Sequence, residues 1–148
     1  MHEAIDSCKW IFLRELGEPE ENSLRLVIEE AKADNPPEDI EVWPGKVISG
    51  TRAIESDWSC RAFELVWSSY VSYSVRNESF CVQDNEEVWE GRLFCLYSKS
   101  HFLDYVGRAT FATADYPGPL RHWGVNCLDH IVDVVSTVEP QVRGIEHA

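Results

Sequence analysis

A chain of 148 residues, 44% of them hydrophobic, has the length of one domain and enough apolar content to bury a core without disulfide or metal staples, so a single globular domain over 1–148 is expected. With 26 acidic against 13 basic residues the net charge is −13, which repels phosphate backbones and argues against nucleic-acid binding. Charges interrupt any secretory core in the first 16 residues, no stretch approaches the roughly 20 apolar residues of a membrane span, and five cysteines are an odd count for a disulfide framework; a reduced, cytoplasmic setting without a membrane partner follows.

Near the start, Ile5, Cys8, Ile11, Phe12 and Leu16 fall on one helical face with Gly17 as a stop, predicting an N-terminal helix. The acidic knot from Glu18 to Asn22 reads as a loop, and "SLRLVIEEAKA" as a strand. In "IEVWPGKVISG", Pro44 and Gly45 hold the two central positions that a type II turn favours, so a hairpin or sharp corner is expected. The clearest periodicity runs from Arg61 to Arg76, where Phe63, Leu65, Trp67, Val71, Tyr73 and Val75 share one parity. A single strand of that length is unusual, and a bend or bulge is predicted at "WSS".

After the polar turn "QDNEE", the segment "RLFCLYS" is apolar on both parities, as in a strand covered on both faces in mid-sheet. Ser100 then offers a cap, and Gly107 an exit, for a short helical segment. "ADYPGPLR" is a corner, and "HWGVNCLDHIVDVVSTVEP" reads as two consecutive strands or one strongly bent strand ended by Pro140. The fold class predicted is mainly β (α+β): a curved antiparallel sheet or β-sandwich of about six to eight strands, with an N-terminal helix and one short helical segment.

Chemistry is harder to place. The chain has no GxSxG, HExxH, glycine-rich phosphate loop or dinucleotide fingerprint, which lowers the expectation of an enzyme and gives no reason to expect a cofactor. Cys127 and His130 make only one short pair, too few for a metal site, so no metal is expected; Cys60, Cys81, Cys95 and Cys127 read as small buried hydrophobes. His2 and His147 are terminal and are set aside as disordered. His122, Arg76 and Asp104 are the catalytic candidates, on the expectation that they converge in a pocket between the sheet and the 100–106 helical segment. Asp133, embedded in "HIVDVVS", needs a cation such as Arg108 or Arg121 if it points inward.

The opposite parity of the long strand carries Ser68, Tyr70, Ser72 and Ser74, a low-entropy surface suited to protein recognition, with Arg76 and Glu78 beyond it either lining a pocket rim or closing the strand as an exposed ion pair. Acidity steers a basic partner. The leading expectation is therefore a non-catalytic protein-binding domain, in concrete form an immunity-type inhibitor that neutralises a basic bacterial toxin. The alternatives are a small-ligand-binding protein or enzyme using the pocket by residues 100–106, and a homodimer formed through the aromatic strand.

Overall fold

Short apolar runs punctuated by polar turns give this chain strands rather than long helices, and the structure, a computed structural model, describes them over residues 2–33 and 37–146. In chain order the elements are α1 (His2–Asp6), β1 (Trp10–Gly17), β2 (Leu24–Ala31), β3 (Glu38–Trp43), β4 (Lys46–Thr51), β5 (Ala62–Trp67), β6 (Ser72–Asn77), a single 3-10 turn (Glu78–Phe80), β7 (Val88–Glu90), β8 (Phe94–Lys99), α2 (His101–Ala109), β9 (Arg121–Asn126), β10 (His130–Ser136) and β11 (Gln141–Ile145). All strand pairs are antiparallel. They form a four-stranded sheet in the order β1-β2-β5-β11, a five-stranded sheet in the order β6-β10-β9-β8-β7, and the separate hairpin β3-β4. The protein is thus mainly β with an N-terminal helix and one further short helix, as its sequence predicts.

One apolar cluster joins the inner faces of the two larger sheets. Leu24, Leu26 and Ile28 of β2 and Phe63, Leu65 and Trp67 of β5 pack with Trp123, Val125, Val132 and Val134 of β9 and β10. Trp67 meets Trp123 edge-on, with ring centroids 6.1 Å apart, a geometry that places a positive ring edge over a negative face. The outer face of the four-stranded sheet is laced with charge instead. Glu64 accepts hydrogen bonds from Arg25 and Arg143, each at 2.6 Å, and Arg25 continues to Glu15 at 2.7 Å.

Several boundaries differ from the sequence reading for identifiable reasons. The helix stops at Asp6, and the stretch expected to prolong it becomes β1. Trp10, Ile11, Phe12 and Leu13 are apolar at successive positions, and pairing with β2 satisfies a backbone that a lone helix end would leave open. Asp6 fixes the break, because its carboxylate accepts the N–H groups of Leu93 and Phe94, both at 2.8 Å. His2 belongs to α1 and its ring lies 4.4 Å from that of Phe94, so it is ordered; His147 lies outside the described residues.

The long run does bend at "WSS", and sharply: β5 ends at Trp67 and β6 begins at Ser72 in the other sheet. Ser68 and Tyr70 therefore do not share a strand face with Ser72 and Ser74. Tyr70 packs edge-on against Tyr73 at 4.8 Å, and both hydroxyls donate to the Glu18 carboxylate. The Ser100 cap forms as expected, its Oγ accepting the Leu103 N–H, but Gly107 lies within α2, which exits at Thr110. Beyond Pro140, β11 adds an edge to the first sheet.

Candidate functional site

Strand register brings the most unusual polar residues together. Asp133 lies opposite Ser74 on one side and Gly124 on the other, His122 opposite Val135, and Arg76 opposite Ile131. Arg76, Asp133 and His122 are thereby diagonal neighbours on one sheet face, within reach of long side chains. A continuous chain of hydrogen bonds results. The Ser100 hydroxyl donates to His122 Nδ1 at 2.7 Å, His122 Nε2–H donates to Asp133 Oδ1 at 2.7 Å, and Arg76 donates from Nε and Nη2 to Asp133 Oδ2 at 3.2 and 3.1 Å. That tautomer satisfies every member, since the Ser100 oxygen is already accepting from Leu103.

A serine, a histidine and an aspartate in line invite comparison with a nucleophilic triad, but the arrangement is unsuited to that task. Serine is on Nδ1 and aspartate on Nε2, and Ser100, His122 and Asp133 are 2%, 1% and 2% exposed, leaving a substrate no approach to Oγ. What the network does is hold a buried carboxylate with a full set of donors, the condition under which a buried charge is tolerated. The cation that Asp133 requires is Arg76, rather than Arg108 or Arg121. Arg76 consequently turns to Asp133 and not to Glu78; although burial opposes its charge, Asp133 holds the guanidinium more firmly protonated than usual.

Above this network lies Tyr97, its ring stacked on His122 with centroids 4.2 Å apart and planes 8° from parallel. Gly124 makes room for it, because a Cβ there would fall 2.9 Å from Tyr97 Cε2. Burial, with Cys95 and Asp133 beneath, pushes the Tyr97 hydroxyl up to about 12. Beside Tyr97 a groove of about 390 Å³ opens on the five-stranded sheet; Arg76, Tyr97, Asn126 and Ile131 of β6, β8, β9 and β10 line it, joined by Glu78, Asp84, Glu87 and Trp89 from the connection between β6 and β8, β7 included, which forms its rim. The 3-10 turn that starts this rim is capped by Asn77, whose Oδ1 accepts the Ser79 N–H.

Of the three catalytic candidates, the structure links Arg76 and His122 through Asp133, while Asp104 stands on the exposed side of α2 with His101, Tyr105 and Arg108. Beneath α2 the interface is packed: Val106 is buried and Phe102 meets the His122 ring edge-on at 5.4 Å. The groove therefore opens beside the helix. Arg76 and Glu78 both line it, whereas Ser72 and Ser74 are half-buried on the edge strand β6. Cys60, Cys95 and Cys127 are buried as expected, Cys8 joins them, and Cys81 is partly exposed; burial pushes Cys127 up to about 12.

Among the described residues one cluster, Asp84, Glu86 and His101, brings three potential metal ligands within 4.8 Å. Its ring nitrogen and carboxylate already bond each other at 2.6 Å, and the His101 imidazole is raised by that bond while Asp84 is lowered, first by the Glu86 N–H and then by His101.

A second surface went unread in the sequence. The hairpin forms as Pro44 and Gly45 predict, Gly45 adopting the positive φ of 83° that the third position of a type II turn needs. Yet it carries Ile40, Val42, Trp43, Val47 and Ile48 at 43–62% exposure, alongside Glu38, Asp39 and Glu41. The Pro44-Gly45 turn between apolar residues announces the hairpin, and nothing in it announces that the strands stand outside the core. Neither a family model, nor a curated protein, nor a solved structure matches this chain.

Proposed function

We propose that this chain is a non-catalytic binding protein for a basic protein partner, docked chiefly through the β3-β4 hairpin. The observation that carries the reading is the exposure of five large apolar side chains on that hairpin. A two-stranded hairpin is marginal in water unless something covers it, and concentrated apolar exposure of this kind marks protein-contact surfaces. Glu38, Asp39 and Glu41 on the same strand select the sign of the partner, and the net charge of −13 makes a second copy of the chain a poor occupant. An inhibitor of the immunity type, neutralising a basic bacterial toxin, is the concrete form proposed: small size, acidity and a rigid two-sheet support for the docking arm suit that task.

The test is affinity capture from the native lysate with wild type and with the double variant Trp43→Ala/Ile48→Ala, each at low and high salt. A stoichiometric basic partner, weakened by salt and lost with the hairpin variant, is expected. Capture of a neutral or acidic protein, or of a basic one indifferent to the hairpin substitutions, overturns the reading.

A further inference from the structure

We propose that the groove beside Tyr97 is a binding site for a guanidinium group, independent of the hairpin surface. Five charged side chains line it: Glu78, Asp84, Glu87, Arg76 and Arg92. The two cations are already committed. Arg76 is neutralised by the buried Asp133, and the Arg92 guanidinium donates to the backbone carbonyls of Asp6, Cys8 and Lys9. The carboxylates are less occupied. Asp84 is shared with His101, and Glu87 gives one oxygen, Oε2, to the His101 backbone N–H at 3.1 Å. The side chain of Glu78 accepts no hydrogen bond among the described residues, so three carboxylates line the groove against Arg92, whose charge the backbone carbonyls hold without neutralising, and the balance is negative.

Aromatic rings supply the second half of the recognition. Trp89 and Tyr97 form a tilted pair with centroids 5.7 Å apart and planes 42° from parallel, and both are partly exposed. Tyr97 is held in place from behind: its ring is stacked on His122, which is fixed at both nitrogens. A planar cation can lie against an exposed ring while its edge N–H groups donate to carboxylates lining the same groove, a combination that guanidinium satisfies and a spherical metal ion does not. The same carboxylates repel an anion. A volume of about 390 Å³ accommodates a head group and its stem, within the range of small-ligand sites. An arginine side chain of a protein and a free guanidinium metabolite offer the same chemistry.

Nitrogen-15 NMR titration of the full chain with acetyl-arginine amide, and with its neutral near-isostere acetyl-citrulline amide, tests the site. The arginine probe is expected to shift the Trp89 indole resonance and bind at least ~10-fold more tightly than citrulline, and Glu78→Gln/Glu87→Gln to weaken it ~10-fold without lowering thermal stability. Equal binding of the two probes, shifts confined to residues away from the groove, or a double variant within twofold of wild type overturns the proposal. Agmatine and the peptide Gly-Gly-Arg-Gly-Gly then separate the sources: tighter peptide binding assigns a protein side chain, tighter agmatine binding a free metabolite, and either supports the site. Because the hairpin residues are untouched, partner capture in these variants separates failure here from failure of the docking surface.

Discussion

Asp133 is the residue whose removal the structure makes most costly. Its carboxylate is 2% exposed, accepts from His122 at 2.7 Å and takes two donors from Arg76. Asp133→Ala strips the acceptor from a fully buried imidazole N–H and leaves Arg76 without its counter-charge. Breaking a buried pair costs about 3–5 kcal/mol; Arg76, whose side chain is 50% exposed, regains water, which places the expected loss near the lower end, about 3 kcal/mol. Asp133→Asn keeps an oxygen for His122 while losing the charge facing Arg76, and its cost is expected at about 1–2 kcal/mol. Urea unfolding followed by tryptophan fluorescence measures both, and the alanine variant should melt about 6–12 °C below wild type. Alanine and asparagine variants of equal stability, or an alanine variant within about 1 kcal/mol of wild type, would refute the view that the acceptor on His122 is the critical element.

Gly124→Ala should destabilise the protein by about 1–3 kcal/mol through overpacking, because the new methyl meets the Tyr97 ring; the loss should shrink in a Tyr97→Ala background, and additivity in that double-mutant cycle would contradict the contact. Trp67→Phe should cost under about 1.5 kcal/mol despite full burial, since Trp67 Nε1 has no partner among the described residues and deleting it removes an unpaired donor; a loss above about 3 kcal/mol would mean that the indole N–H is satisfied. Acid should unfold the protein through its sheet-bound glutamates. Glu30 is lowered by its bond to Arg61, and Glu64 by Arg143 and Arg25, so their contribution is present above the ordinary glutamate value and is lost as pH falls through the depressed ones. Glu64→Gln should flatten that acid limb, and an unchanged pH profile would count against the linkage.

Alternation from Arg61 to Arg76 reveals the strands, and the length of that run, more than one strand ordinarily spans, reveals the break at "WSS", although the parity itself carries on from Trp67 to Val71. The Ser100 cap and the Pro44-Gly45 turn were equally readable because each is a local device, decided by three or four adjacent residues. Pairing was not. That Arg76 serves Asp133 depends on β6 lying beside β10 in one particular register, a relation between residues 57 apart, and the sequence offered Arg108 and Arg121 on equal terms. β1 was misread as helix because its apolar residues satisfy both periods and only the presence of β2 alongside decides between them. The groove depended on where the Glu78–Arg92 segment came to rest, which composition marks as polar without placing it.

The glutamate at position 64 has a consequence for the order in which the protein assembles. Its partner Arg143 is 79 residues further along the chain, and β5 is flanked by β2 on one side and β11 on the other. During synthesis, β1, β2 and β5 can meet early, but β5 keeps a bare edge and a half-neutralised glutamate until β11 has been made. Closure over such separations is slow, and an uncovered edge is a template for the wrong partner during the wait. Charged side chains along an uncovered edge strand disfavour pairing with another chain, and Glu64 is such a side chain on β5 until Arg143 arrives to pair with it.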